Sequence, residues 1–236
     1  MDELTASQPS SIRQMFGTIA GKYDLINSVL SVGIHHYWKR KLVNASGVKP
    51  GDSILDCATG TGDLAFQFEK RLQGTGRVIG TDFCEPMLQL AKAKATQKNS
   101  EAQFQWADVT HLPFADQSFN IASISFGIRN VDNPKQALSE LGRVVKSGGR
   151  VLVLEFGQPR SRLIAPFYRF YSRRVLPLIG GWISGQRQAY EYLETSSAQF
   201  PCDQSFLEIA RSTGKFSEIN YRRFFSGIAY LYILKR

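Results

Sequence analysis

Short apolar segments alternate with helical ones from residue 53 to residue 156, and this alternation constrains the fold more than any other feature of the chain. Between predicted strands, the helices carry apolar residues at three- and four-residue spacing. The predicted strands cover 53–57, 77–82, 102–108, 118–126 and 150–156, and the predicted helices cover 63–72, 85–98 and 133–149. Such alternation predicts parallel β-α-β units, and therefore an α/β fold with an open sheet covered by helices on both faces.

The segments on either side of this core (49–160) have a different character. Residues 1–48 contain apolar side chains at helical spacing, which predicts an amphipathic N-terminal helical extension that either packs on the sheet or covers the site as a lid. Residues 161–215 are mixed, aromatic and basic, which is typical of a helical or loop insertion. Residues 216–236 form two apolar runs that predict a closing antiparallel pair of strands, so the whole chain forms one domain.

Composition limits the class of protein. The formal net charge is +9, yet there is no arginine-rich tract and no zinc-finger spacing, so no nucleic-acid partner is expected. The three cysteines, Cys57, Cys84 and Cys202, have no disulfide spacing. The apolar stretch 175–183 is too short to span a bilayer. We therefore expect a cytoplasmic protein, with peripheral contact at the inner face of a membrane as an open alternative; the oligomeric state is not readable.

The most specific motif is "ILDCATGTGDLA", residues 54–65. A predicted strand ends at Asp56, a turn containing Gly60 and Gly62 follows, and a helix begins at Asp63. Glycines at such a turn let a ligand approach the backbone. In a doubly wound sheet, ligands bind outside the carboxyl ends of the strands, so this turn is the predicted cofactor loop.

Two further carboxylates follow the next strands in the same position. Asp82 ends the second strand, where a carboxylate can accept both hydroxyls of an adenosine ribose, and Asp108 ends the third, near the expected adenine edge. The loop also matches the loose dinucleotide fingerprint, which leaves a nicotinamide cofactor open. A carboxylate at the helix start, Asp63, would repel a pyrophosphate, whereas the cationic S-adenosylmethionine has no phosphate and suits acidic surroundings.

Long segments of the chain resemble the ubiquinone/menaquinone biosynthesis C-methyltransferases. The resemblance lies in "FGTIAGKYDLINSVLSVGIHHYWKRKLV", "LDCATGTGDLA", "ISFGIRNV", "RVVKSGGRVLVLEFGQP" and "YEYLETSSAQFP". It implies a Rossmann-like class I methyltransferase fold, with a seven-stranded, mostly parallel sheet and one antiparallel strand near the edge. It also implies S-adenosylmethionine contacts at Thr61, Asp82, Asp108, Val109 and Ser125.

Family members methylate a ring carbon of a polyprenylated quinol, and such chemistry requires a phenolic proton to leave because the phenolate makes the ring carbon nucleophilic. Arg129 at the end of the fourth strand is the candidate phenolate stabiliser, and Asn130 is the candidate partner of a quinol oxygen. Tyr23 and His35 in the extension are further catalytic candidates. The spacing of the histidines indicates no metal site, and none is expected.

The acceptor's isoprenoid tail needs an apolar route. Residues 165–183 interleave aromatic residues with Arg169, Arg173 and Arg174, which suits contact with an anionic lipid surface but equally suits an ordinary helix with a basic face. The sequence does not choose between demethylmenaquinol and 2-methoxy-6-polyprenyl-1,4-benzoquinol as acceptor. Three other functions stay open: a nicotinamide oxidoreductase, a non-catalytic membrane- or nucleic-acid-binding module, and a methyltransferase for another lipophilic acceptor such as a tocopherol precursor or a sterol.

Overall fold

A seven-stranded sheet forms the centre of the molecule. It is seen in a computed structural model that describes residues 9–236, apart from the side chains of 9–13, 183, 184 and 187. The strands are β1 (Ser53–Cys57), β2 (Arg77–Asp82), β3 (Gln103–Trp106), β4 (Phe119–Ser125), β5 (Val145–Phe156), β6 (Glu218–Phe224) and β7 (Ala229–Lys235). Their order is β3-β2-β1-β4-β5-β7-β6, and β7 runs antiparallel to both of its neighbours while the other pairs are parallel. The predicted sheet is confirmed.

Helices connect the strands and cover both faces. They are α1 (Pro9–Ile19), α2 (Tyr23–Leu30), α3 (Ile34–Ser46), α4 (Asp63–Leu72), α5 (Glu85–Lys98), α6 (Pro134–Val144), α7 (Ile164–Phe170), α8 (Leu176–Ser184), α9 (Arg187–Gln199) and α10 (Gln204–Arg211). Buried side chains of α3, α4 and α5 pack on one face, and those of α6 and α10 pack on the other. The last helix of the predicted insertion 161–215 therefore packs with the core.

Two predicted boundaries, which meet at one junction, differ from the structure by more than two residues. The helix predicted over 133–149 ends at Val144, and β5 begins at once with Val145. Gly148, with φ of +78°, donates its N–H to the carbonyl of the C-terminal Arg236, whose own N–H donates to the carbonyl of Gly149. Long-range backbone pairing with the end of the chain thus overrides the helical pattern of the local sequence, because it satisfies backbone groups that an extended helix would leave at its exposed end.

The sequence left two positions open for the N-terminal extension, either packed on the sheet or over the site. Different helices of the extension take each of these positions. Helix α3 packs against the sheet through Trp38, Leu42 and Val43. Helices α1 and α2 instead pack against α9, where Ile26 contacts the cluster that includes Tyr190. The first part of the extension therefore lies over the carboxyl ends of the strands rather than on a face of the sheet; residues 1–8 lie outside the described residues.

Candidate active site

A cavity of about 330 Å³ lies at the carboxyl ends of β1 and β4. Thr59, Gly60 and Thr61 of the loop after β1 line one side, and Ser125 and Arg129 line the end of β4. Helices α1 to α3 and the segment from α7 to α9 complete the wall. The loop that the sequence assigned to the cofactor and Arg129, which it assigned to the acceptor, thus share one space, as expected for ligands at the switch point of an open sheet.

The loop after β1 is shaped by its glycines and fastened by Asp82. Gly60 and Gly62 have φ of +57° and +87°, in the left-handed region that favours glycine. A Cβ at Gly62 would lie 2.9 Å from the Phe104 ring. The Asp82 carboxylate accepts the N–H of Gly60 at 2.8 Å and that of Cys84 at 2.9 Å. Burial raises the pKa of Asp82, against those backbone hydrogen bonds, which lower it.

Asp56 is buried beneath the same loop. Its two oxygens accept the hydroxyls of Thr59 and Ser123, each at 2.7 Å. Burial raises the pKa of Asp56 to about 6, although both hydrogen bonds oppose the shift. Asp56 also lines the cavity, so its protonation state changes the charge at the floor of the site.

The structure separates the predicted donor residues into two groups. Four of them line the cavity: Asp56, Gly60, Thr61 and Ser125. The buried Ser125 hydroxyl has no hydrogen-bond partner among the described residues, which fits a site that receives a polar ligand. The other four are not among the lining residues, and they are Gly62, Asp82, Asp108 and Val109.

Asp108 and Val109 have other surroundings. Asp108 is exposed and accepts the N–H and the hydroxyl of Thr110, both at 2.8 Å. Val109 is half-buried and packs against the core. Asp82 ends β2 and Asp108 follows β3, so both lie at the predicted edge of the sheet, and their contact with an adenosine stays a prediction.

In the sequence, the carboxylate of Asp63 favoured a cationic ligand. In the structure, Asp63 does not line the cavity. Its carboxylate lies 3.6 Å from Lys39 and 3.3 Å from Lys94. Burial alone would raise the pKa of Asp63, but these two lysines hold it below its usual range. Asp63 is therefore neutralised by the protein itself, and the argument for a methyl donor depends on the other residues.

Arg129 lies in a short 3₁₀ turn (Ile128–Asn130) directly after β4. Its Nη1 donates to the Glu155 carboxylate at 2.7 Å and to the Phe126 carbonyl at 2.6 Å. Its Nε is buried and has no partner among the described residues, while the side chain lines the cavity. The Nη1 group of the guanidinium is thus held by the protein, while the side chain as a whole lies in the cavity wall, where it can meet a ligand.

Two tyrosines lie near Arg129 in the cavity wall. Burial raises the pKa of Tyr23 above its usual value, and it raises the pKa of Tyr168 to about 12; Arg129 opposes both shifts. Both hydroxyls therefore stay protonated at neutral pH and can donate. Sequence reasoning selected Tyr23 but missed Tyr168, which only the packing of α7 brings to the cavity.

Asn130 is not among the residues that line the cavity. Its side-chain oxygen accepts the hydroxyl of Tyr192 at 3.1 Å, and Tyr192 is a lining residue. The predicted contact between Asn130 and a quinol oxygen therefore stays a prediction, and the geometry favours an indirect role through Tyr192.

His35 lines the cavity from α3 and is buried. Burial, assisted by Lys39 and His36, lowers its pKa to about 4, so its ring is neutral at pH 7 and is a weak base. Its Nδ1 lies 2.6 Å from the Ser31 hydroxyl. The ligand atoms of His35, His36 and Asp63 lie within 4.8 Å of one another, a grouping that spacing along the sequence did not reveal. Because two lysines already neutralise Asp63, this cluster is a poor cation site.

Comparison with known proteins places the chain in a family. The model of the ubiE/COQ5 methyltransferase family matches residues 4–235. The chain is 53% identical over 224 residues to the ubiquinone/menaquinone biosynthesis C-methyltransferase UbiE of Bdellovibrio bacteriovorus, with 95% of each protein covered. It is 40% identical over 221 residues to the 2-phytyl-1,4-naphtoquinone methyltransferase of Synechocystis, with 92% of each covered.

Solved structures agree on the fold. A SAM-dependent methyltransferase from Thermotoga maritima matches with a TM-score of 0.64 and 18% identity, over 95% of this chain and 99% of that one. A putative S-adenosyl-L-methionine-dependent methyltransferase from Methanococcus maripaludis matches with a TM-score of 0.63 and 17% identity, over 100% and 97%. The expected class I fold is confirmed. The chain therefore belongs to the ubiE/COQ5 methyltransferase family and is an S-adenosylmethionine-dependent methyltransferase.

Proposed function

We propose that the enzyme methylates a ring carbon of a polyprenylated quinol, with demethylmenaquinol as the preferred acceptor and 2-methoxy-6-polyprenyl-1,4-benzoquinol as the alternative. The observation that carries the proposal is the shared cavity, which both the loop after β1 and the side chain of Arg129 line. The relatives named for ubiquinone, menaquinone and phytyl-naphthoquinone methylation support a prenylated quinol as acceptor.

The chemistry follows from the donors around that space. S-Adenosylmethionine, when bound, supplies an electrophilic methyl group on a sulfonium. The acceptor carbon forms its new bond as the methyl–sulfur bond breaks and S-adenosylhomocysteine leaves, and aromaticity returns when the proton on that carbon passes to water. Arg129 stabilises the quinol oxygen as its negative charge develops, because a preorganised hydrogen-bond donor in a water-poor site favours the charged form of a nearby phenol even though Glu155 compensates the charge of the arginine. The protonated hydroxyls of Tyr23 and Tyr168 orient the same oxygen.

The cavity opens to solvent through apolar side chains, as a lipophilic tail requires. Three residues line the cavity and are also exposed, so they form its mouth: Val32 at 82% exposure, Phe225 at 52% and Ile34 at 36%. A tail of isoprene units can leave through this mouth without burying unpaired polar groups of the protein.

The enzyme would collect such an acceptor from a membrane surface. No helix among residues 9–236 is both long and apolar enough to cross a bilayer. Leu163, Phe167 and Trp182 are 78–88% exposed on or just before α7 and α8, and exposed arginines are interleaved with them. Exposed aromatic residues beside arginines suit insertion at an anionic lipid interface. The main-chain N–H of Ser161 donates to the Ser226 hydroxyl at 3.0 Å, which ties the start of this segment to the turn that carries Phe225 at the mouth.

A product assay tests the acceptor class. The enzyme is incubated with labelled S-adenosylmethionine and both reduced quinone precursors, and the products are identified by mass. Label on the ring of either precursor supports the proposal and identifies the acceptor, whereas label on neither rejects a quinol as acceptor.

Sedimentation with vesicles tests the membrane contact separately. The wild type is expected to sediment with vesicles of phosphatidylglycerol, and Phe167→Ser with Trp182→Ser is expected to stay in the supernatant. The matched control is Trp106→Ser, which removes an exposed aromatic residue (54% exposed) at the edge strand β3. Equal sedimentation of the double variant and the wild type would contradict the contact.

A further inference from the structure

Asp24 of α2 connects this helix with α5 and with the loop after β1 (residues 58–62), which is the predicted binding loop for the methyl donor and is called the donor loop below. One carboxylate oxygen accepts the Thr61 hydroxyl at 2.6 Å, and the other accepts the Lys94 ammonium of α5. Lys94 also donates to Thr61 at 2.9 Å and pairs with Asp63 at 3.3 Å. Neither Asp24 nor Lys94 lines the cavity, so both act behind its wall.

Helix α2 forms the part of the cavity wall that borders both the methyl donor and the acceptor. The ring of Tyr23 covers the donor loop: its Cε1 lies 3.9 Å from where a Cβ on Gly60 would be. Asn27 and Leu30, one and two turns further along, also line the cavity. The carbonyl of Leu30 accepts the hydroxyl of Tyr171, which belongs to the acceptor-side segment. The helix is therefore tied to the donor loop at its start and to the acceptor side at its end.

Helix α2 depends on these ties because it is short and only partly buried. It has eight residues, fewer than an isolated helix needs for stability in water. Ile26 and Leu30 are buried, whereas Leu25 and Val29 are exposed. Since its packing is limited to one stripe, its position over the loop is set in large part by its polar anchors.

We propose that Asp24 is a positioning residue, which fastens α2 to the donor loop through Thr61 and Lys94 and so sets the wall that the donor and the acceptor share. The proposal rests on the proposed function in so far as the acceptor enters the same cavity. A half-exposed ion pair contributes little to global stability, so the effect of Asp24 should appear in ligand binding rather than in the melting temperature.

The test is calorimetric titration of the full-length enzyme with S-adenosylmethionine, combined with amide hydrogen exchange of residues 23–30. Asp24→Asn keeps the size of the side chain and an acceptor for Thr61 but loses the charge that attracts Lys94. We expect donor binding five- to tenfold weaker, faster exchange in α2, a melting temperature within 2 °C of the wild type, and recovery of most of the affinity in Asp24→Glu.

The matched control is Glu85→Gln. Glu85 lies 4.0 Å from Lys92 on the same helix as Lys94, in an exposed pair that does not reach the donor loop. We expect its donor affinity and its exchange in α2 to equal those of the wild type. Lys94→Met should weaken donor binding at least as much as Asp24→Asn does, because it also removes the contacts of Lys94 with Thr61 and Asp63. The double variant should be no weaker than Lys94→Met, because the Asp24–Lys94 contact is already lost in that variant.

Donor affinity within twofold of the wild type in Asp24→Asn, or independent addition of the two changes, would overturn the proposal. The titration needs no acceptor. A wrong acceptor class would therefore leave this pattern of donor affinities intact while the product assay fails, so the two failures are distinguishable.

Discussion

Arg129 and Glu155 form a buried ion pair, with 2.7 Å between Nη1 and Oε1 and side-chain exposures of 5% and 1%. Glu155 also accepts the main-chain N–H groups of Phe156 at 2.8 Å and Arg129 at 3.3 Å. The pair explains why the apolar strand β4 is followed by a polar turn. The arginine compensates a carboxylate inside the sheet and also lines the cavity.

Replacing Arg129 alone should destabilise the enzyme strongly. In Arg129→Ala the Glu155 carboxylate stays buried without its cation, which costs about 3–5 kcal/mol in the free energy of unfolding. Urea denaturation at pH 7 measures the change. A loss below 1 kcal/mol would show that Glu155 finds another partner or becomes protonated.

The double variant Arg129→Met with Glu155→Met separates stability from catalysis. Replacing both charges by apolar side chains should restore most of the lost stability. If Arg129 also stabilises the quinol oxygen, turnover should remain at least a hundredfold below the wild type while donor affinity changes little. Recovery of turnover together with stability would make Arg129 purely structural.

Because of Asp56, the free energy of unfolding should fall as pH rises, which is opposite to the usual effect of a carboxyl group. Its pKa is about 6 in the folded protein, above its value in the unfolded chain, so the folded state holds the proton more tightly. The stability that this proton contributes is present at pH 4 and below, and it is lost as pH rises through 6. The shift of about two units corresponds to about 3 kcal/mol.

The variant Asp56→Asn tests this dependence, because the other carboxyl groups titrate equally in the variant and the wild type. Their contributions therefore cancel in the difference between the two free energies of unfolding. The free energy of unfolding of Asp56→Asn relative to the wild type should rise by about 3 kcal/mol between pH 3.5 and pH 7. Urea denaturation across this range gives the difference, and a flat difference curve would show that the carboxyl does not titrate there.

Gly127 is required by a close approach of two chain segments. A Cβ at this position would lie 2.4 Å from the Cβ of Ala58, which begins the donor loop. Gly127→Ala should therefore displace the loop, lower stability by about 1–3 kcal/mol and weaken donor binding. Gly21→Ala is the control, since no heavy atom lies within 4 Å of its added Cβ and its φ is not positive. Thermal melts with and without S-adenosylmethionine measure both effects; equal behaviour of the two variants would contradict the expectation.

Val32 holds a strained backbone at the mouth of the cavity. Its φ is +48°, which costs a β-branched residue about 1–2 kcal/mol, and asparagine tolerates this conformation better. Val32→Asn should thus raise stability by about 1 kcal/mol but lower kcat/KM severalfold for a long-tailed quinol, and less for a short-tailed one. Val29→Asn, which removes an exposed valine outside the cavity lining, should not change the ratio between the two acceptors. An unchanged ratio in Val32→Asn would place the tail elsewhere.

Non-glycine residues with a positive φ concentrate around the cavity. Nine non-glycine residues among 9–236 have positive φ, and four of them line the cavity: Val32, Ala58, Phe126 and Phe225. None was marked by the sequence, because valine, alanine and phenylalanine have no local preference for a positive φ.

The sequence by itself determined the sheet and all but one of its strand boundaries to within two residues, and it predicted the loop after β1 as part of the candidate site. Periodicity identifies β1, β2, α4 and α5 to the residue, since strands and helices bury their apolar faces at fixed intervals. Glycines and carboxylates at strand ends predict the donor loop, because parallel strands present their carboxyl ends at one edge.

Only the tertiary structure decided which charges remain available in that site. It pairs Arg129 with Glu155 and Asp63 with two lysines, it fastens Asp24 to Thr61, and it brings Tyr168 to the cavity from about 40 residues beyond Arg129. The physical reason is that what a charged or polar side chain contributes to a site depends on its partners and on its burial. Both depend on segments far apart in the chain, which no local pattern records.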